Sequence, residues 1–164
     1  MNVQVRDATN DDFEAILLLN QEALPWVSPL DQAGLVRLSQ KASYFKVATQ
    51  PDRLAGFLIA VAHDSGYESR YFEWFCDRYQ KFIYIDRVIV AEWARGWRIA
   101  WRLYEDIEQF AASISHPLAS DVYSKPPNEI SLRFHKKYGF ELIGTQLIEG
   151  TGKEAAKFLK VTGS

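Results

Sequence analysis

Tyr84-Ile-Asp-Arg-Val-Ile-Val-Ala-Glu-Trp-Ala-Arg-Gly-Trp-Arg-Ile-Ala-Trp-Arg-Leu-Tyr104 is the stretch that decides the fold. Its opening residues predict a buried strand. A tight turn follows around Arg95-Gly96. Beyond it Ile99, Leu103, Ile107, Phe110 and Ile114 recur at helical spacing and mark one face of an amphipathic helix. A strand that runs through a glycine turn into a helix builds an anion site from backbone alone. The turn aims several N–H groups one way, and the helix N-terminus adds partial positive charge.

Working outward, Asn2 to Arg6 alternates around Val3 and Val5 and predicts a first strand. Thr9-Asn10-Asp11-Asp12 is a helix-capping cluster, and Phe13, Ile16, Leu17 and Asn20 then fall at helical spacing up to Pro25. A second helix opens near Ser28–Asp31. Ser43 to Thr49 and Leu54 to Ala62 read as an antiparallel hairpin across Gln50–Arg53. His63 to Lys81 is a long, polar and very aromatic excursion, expected to lie outside the core. Downstream, Leu118 to Tyr123 is a short strand, Pro126-Pro127-Asn128 opens a last helix, and Gly139 ends it. Glu141 to Ile148 and Ala156 to Val161 read as two final strands. The elements run β-α-α-β-β-β-α-β-α-β-β, a mixed-sheet α/β domain.

The 164 residues fit one domain, 1–164, and allow a substantial core. A net charge of −2 gives no footprint for nucleic acid or for an anionic membrane surface. No apolar run reaches the roughly 18–20 residues that span a bilayer, and the N-terminus lacks a signal-peptide layout. The lone Cys76 excludes an intramolecular disulfide and suits a reducing cytosol, so a cytoplasmic location is expected. His63 and His116 have no partner at metal-ligand spacing, so no metal is assigned.

A second segment, Asn128-Glu-Ile-Ser-Leu-Arg-Phe-His-Lys-Lys-Tyr-Gly-Phe140, completes a pair of motifs. Together the two segments resemble the signature regions of the GNAT superfamily of acyl-CoA-dependent N-acetyltransferases. The family carries Arg/Gln-x-x-Gly-x-Gly/Ala between its fourth strand and third helix. Here Arg95-Gly96-Trp97-Arg98-Ile99-Ala100 stands in its place, with Arg98 for the first glycine. Glycine suits that position because backbone must approach the pyrophosphate or take an unusual φ. Arg98 therefore calls for a different local conformation, for a side chain turned outward, or for a guanidinium set on a phosphate. The second motif appears as Asn128, Ser131, Phe134-His135 and Tyr138-Gly139-Phe140. Tyr84–Arg87, Pro126–Asn128 and Phe134–His135 bring the chain nearest to a small bacterial group of GNAT acetyltransferases.

The resemblance implies a central mixed sheet, splayed between its fourth and fifth strands and flanked by helices. It also implies acetyl-CoA as co-substrate. The pantetheine arm would pair with Val88, Ile89 and Val90 like an added strand. Asn128 would contact pantetheine, cap its helix, or both, with Ser131 and Phe134 beside it.

The implied reaction is attack of a neutral amine on the thioester. His135, at the position of the family's catalytic tyrosine, is the candidate acid for the departing thiolate; packing is its other reading. Asp86 is the candidate base, or else the partner of Arg87 or Arg98. The acceptor pocket is expected from Trp26 after the first helix, Trp74 in the aromatic excursion, Tyr84 and Tyr123. Rings with the carboxylates Asp64, Glu68, Glu73 and Asp77 suit an alkylammonium group on a small molecule or a protein. A non-catalytic acyl-CoA-binding module is the alternative, and the late strands leave room for a homodimer.

Overall fold

The computed structural model describes residues 2–163. Its contacts gather the chain into two compact units, Met1–Val61 with Asp86–Ile107, and Ala62–Ile85 with Glu108–Ser164. Among the described residues there are seven strands and five helices, and the strand pairings include antiparallel ones and a parallel one. No described helix is long and apolar enough to cross a membrane.

In the first unit, β1 (Gln4–Asp7) pairs antiparallel with β2 (Ala42–Gln50), and β2 with β3 (Arg53–Ala62). The expected hairpin turns at Pro51-Asp52, with Val47 opposite Phe57. The helix α1 (Phe13–Glu22) begins after a capping box in which Asp12 accepts from the Thr9 N–H at 2.8 Å. Arg6 grips the same carboxylate through two nitrogens at 2.9 Å, which holds Asp12 below the usual carboxylate range. Phe13, Ile16 and Asn20 are buried, as their spacing predicts, while Leu17 is half-buried and Leu19 takes a core place that was not expected. The helix α2 (Gln32–Lys41) is capped by Asp31, which accepts from Gly34 N–H at 2.7 Å.

β4 (Ile83–Val90) contributes Asp86–Val90 to this unit. Its backbone lies hard against β3 at Gly56, where a Cβ would stand 2.7 Å from the Ile89 carbonyl oxygen. A short 3-10 turn (Glu92–Ala94) then leads to α4 (Ile99–Ser113).

In the second unit the excursion is not the non-core loop expected. Ser69 caps a helix, α3 (Arg70–Cys76), that buries Phe72 and Phe75. Their rings pack on Phe82 and Tyr84 with centroids 5.5 to 5.9 Å apart. β5 (Leu118–Lys125) runs parallel to β4 at Ile83 and Tyr84, and antiparallel to β7 (Lys153–Lys160). β6 (Glu141–Ile148) pairs with β7. The helix α5 (Glu129–Tyr138) starts at Asn128 and ends at Gly139, whose φ of 114° belongs to the left-handed region that glycine occupies freely.

Candidate active site

In the first unit the chain winds tightly after β4. The Ala94 N–H donates to Ala91 O at 2.9 Å, and Trp97 N–H to Ala94 O at 3.2 Å. Gly96 has φ 87° and Arg98 has φ 58°. At Arg98, where another conformation, an outward side chain or a phosphate-bound guanidinium was expected, the arginine adopts the left-handed conformation, at a cost of about 1–2 kcal/mol. Its exposed guanidinium lies over the Trp101 ring, 4.9 Å from the centroid. The Arg98 carbonyl accepts the first helical bond, from Arg102 N–H at 3.0 Å. The first turn of α4 has no carbonyls of its own helix behind it, as at any helix start. On β4, Val88 and Val90 are half-buried and Ile89 is buried.

Asp86 takes the structural of its two expected roles. Arg87 Nε donates to its Oδ2 at 2.7 Å, and both side chains are about one-twentieth exposed (5% and 6%). Arg87 also reaches the Asn20 side chain at 2.7 Å, the Ser28 carbonyl at 3.0 Å and the Ser28 hydroxyl at 2.9 Å. It thereby ties α1 and the segment after it to β4. A base must present a lone pair to an ammonium group, and a buried carboxylate committed to a guanidinium does not fit that role. Arg87 was named as a partner of Asp86, but its reach to Asn20 and Ser28 was missed; its signal was a charge at the centre of an apolar strand. Trp26 stands 43% exposed on the turn after α1, where the acceptor reading expects it to be open.

In the second unit Asn128 caps α5, accepting from Ser131 N–H at 3.3 Å. Ser131, Phe134 and His135 lie together. The Ser131 hydroxyl is 3.4 Å from His135 Nδ1, and the Phe134 ring stands edge-on to the imidazole at 5.5 Å. His135 is 2% exposed. Its Nδ1 donates to the Ser131 carbonyl at 2.8 Å, which leaves Nε2 to accept from the Ser120 hydroxyl at 3.1 Å. Phe158 stacks on the ring at 5.4 Å. Burial pushes the imidazole down to about 4, so it is neutral at physiological pH. The proton-donor role expected of His135 does not fit this geometry, because its single proton is committed and its second nitrogen accepts. Tyr138 is likewise occupied, donating to Glu108 at 2.7 Å.

The acceptor residues expected in this unit divide. Tyr84 is 2% exposed beneath α3 and donates to Asp121 at 2.9 Å, so it lines no open pocket. Trp74 is half-buried, with the Arg78 guanidinium over its ring at 3.8 Å and Lys157 Nζ at 5.4 Å. Tyr123 is half-buried, and its hydroxyl meets that of Tyr71 at 2.8 Å. Lys157 was not anticipated. It is wholly buried, holds Asp121 at 3.0 Å and the Tyr71 carbonyl at 3.2 Å, and sits among the rings of Tyr71, Trp74 and Phe75. Desolvation lowers its pKa, against the pull of Asp121. No group of three metal-ligating side chains occurs among the described residues.

Apart from α3, the element order is the one that the resemblance implies. The GNAT acetyltransferase family model matches residues 4–140, and the chain belongs to that family. It is an acyltransferase of the acetyltransferase type. No curated protein matches it. Among solved structures, Ard1 from Thermoplasma volcanium is similar over 100% of both chains, at 18% identity and a TM-score of 0.78. NAA60 from Arabidopsis thaliana in complex with acetyl-CoA covers 98% of this chain and 99% of its own, at 18% identity and a TM-score of 0.77. The ribosomal-protein-S18-alanine N-acetyltransferase from Escherichia coli covers 99% and 96%, at 12% identity and a TM-score of 0.75.

Proposed function

We propose that this chain moves the acetyl group of acetyl-CoA to a primary amine of a small molecule or protein, by direct attack on the thioester. The observation that carries the reading is the Gly96–Arg98 loop, whose two left-handed residues lead into the open first turn of α4. The pyrophosphate binds there, at Arg95–Ala100, and the pantetheine arm pairs with Val88–Val90. Asn128, Ser131 and Phe134 keep the positions from which the family contacts pantetheine.

A strand N–H within Val88–Val90 polarises the thioester carbonyl. The amine lone pair attacks, the C–N bond forms, the C–S bond breaks and coenzyme A leaves as thiolate. A thiolate with a pKa near 8.5 is a fair leaving group and takes its proton from water. The ammonium proton also passes to water, since Asp86 is bound to Arg87. In this scheme His135 donates no proton and holds α5 to Ser120 and Phe158 within the second unit. Trp26, Trp74 and Tyr123 remain the candidate acceptor contacts, and the lone, exposed Cys76 fits a reducing cytoplasm.

The test is release of free thiol from acetyl-CoA across a panel of small amines and peptides with free N-termini. Turnover on at least one acceptor is expected. Tight acetyl-CoA binding with no turnover on any acceptor would favour the non-catalytic module, a reading that the committed state of both His135 and Asp86 supports.

A further inference from the structure

In the second unit an alkylammonium group already lies on one of the candidate acceptor rings. Lys153 opens β7, and its Nζ stands over the Tyr123 ring, 5.1 Å from the centroid. The Tyr123 hydroxyl meets that of Tyr71 at 2.8 Å, and the two rings stand edge-on at 82°, which holds the ring in place under the ammonium. Lys153 and Tyr123 are both half-buried. The other lysines of β5 and β7 have carboxylate partners. Lys125 meets Glu154 at 3.9 Å, Lys157 meets Asp121 at 3.0 Å and Lys160 meets Glu108 at 2.9 Å. Among the described residues Lys153 joins no ion pair. Its neighbour Glu154 does not serve it, because that carboxylate accepts from the Ser124 hydroxyl at 2.9 Å and faces Lys125.

A carboxylate fixes an ammonium by directed hydrogen bonds, whereas a ring face attracts it without fixing its direction. Lys153 is thus a primary amine on a flexible four-carbon stem, set on a ring face suited to an incoming alkylammonium. The Tyr123 carbonyl accepts from Asn128 N–H at 3.0 Å, so the ring adjoins the residue placed at the pantetheine. We propose that Lys153 is the chain's own acceptor, acetylated within the same molecule when no other amine is present. The inference rests on the reading of the chain as an acetyl-CoA-dependent transferase. Lys153 gives its ammonium proton to water, and the Nζ lone pair attacks the thioester carbonyl. The C–N bond forms, the C–S bond breaks, and coenzyme A leaves as a thiolate that takes a proton from water. The sum is one ammonium and one thioester giving acetyl-lysine, a thiol and one proton. Acetylation removes the charge that the ring attracts, and so leaves the Tyr123 face to another ammonium.

The experiment incubates the full chain with acetyl-CoA and no added amine, and follows each lysine by peptide mass spectrometry. Lys136 and Lys137, exposed on α5, report the uncatalysed reaction. Lys153 should gain its acetyl group faster than either by about tenfold or more, since a positioned amine needs no encounter. Its rate constant should not change when the protein is diluted at saturating acetyl-CoA. Tyr123→Leu should slow Lys153 several-fold and leave Lys136 and Lys137 as they were. The wild-type rates decide the matter even if that variant misfolds. Acetylation of Lys153 at the pace of Lys136 and Lys137 would overturn the inference. So would a rate constant that falls on dilution, the sign of one copy modifying another, or an unchanged rate in a folded Tyr123→Leu. Thiol release with the panel of amines and peptides, but no acetyl-Lys153 without it, would overturn this inference alone. No thiol release under either condition would overturn the acetyl-transfer reading and this inference with it.

Discussion

His135 offers the sharpest test, because its burial makes a stability claim with a definite sign. The ring ionises at 6.5 in an unfolded chain and at about 4 inside the protein, where desolvation opposes the charge. Between those values the unfolded chain binds more protons, so the stability contributed by the neutral ring is complete above 6.5. It is lost as pH falls toward 4. The gap corresponds to about 3 kcal/mol. His135→Phe keeps the stack on Phe158 but forfeits the bonds to Ser131 and Ser120, at about 1 kcal/mol each. The variant should therefore be less stable than wild type by about 2 kcal/mol at pH 7.5, and should draw level or overtake it near pH 4.5. Urea unfolding followed by tryptophan fluorescence, at half-unit steps from pH 4.5 to 7.5, gives both curves. Carboxylates that titrate in the same range cancel in the difference. Parallel curves for the two proteins would refute the buried neutral ring, and would return His135 to the list of proton donors.

Other perturbations report on the rest of the site. Asp86→Asn leaves Arg87 buried without its charge partner and should cost about 3 kcal/mol, while turnover per folded molecule stays within a few-fold of wild type; a large loss of turnover with stability intact would restore Asp86 as a base. Arg98→Gly removes left-handed strain and adds backbone freedom of similar size, so its melting temperature should barely move. Its coenzyme A affinity should fall a few-fold with a flatter salt dependence, and tighter binding would show that the guanidinium obstructs. Gly56→Ala drives a Cβ to 2.7 Å from the Ile89 oxygen and should cost about 2 kcal/mol. It should also weaken acetyl-CoA binding by displacing β4, and an unchanged dissociation constant would separate that strand from the ligand.

The turn from β4 into α4 was legible because it is written locally, by Gly96 and by the helical period that starts at Ile99. Asn128 and Gly139 were legible for the same reason: a cap and a left-handed stop act within a turn or two. The resemblance carried what locality could not, namely that the two segments belong to one family. The helix α3 was hidden because Phe72 and Phe75 sit among four other rings and several acids, so their three-residue spacing did not stand out. Asp86 and Arg87 misled in another way. Neighbours on a strand point to opposite faces. Yet the long arginine doubles back to Asp86 while its far nitrogens reach Asn20 and Ser28. The burial of His135 depends on Ser120 and Phe158, residues distant in sequence that no helical period announces.

The cage around Lys157 has a chemical consequence for a protein that lives among activated acetyl groups. An amine whose proton is held less firmly than usual is the more nucleophilic lysine, and hence the one that a thioester or acyl phosphate would modify first in the open. Tyr71, Trp74 and Phe75 close over it and leave its surface at 0%. Acetylation of Lys157 would need these rings to open first, and the slow appearance of acetyl-Lys157 in a mass spectrum would report those openings.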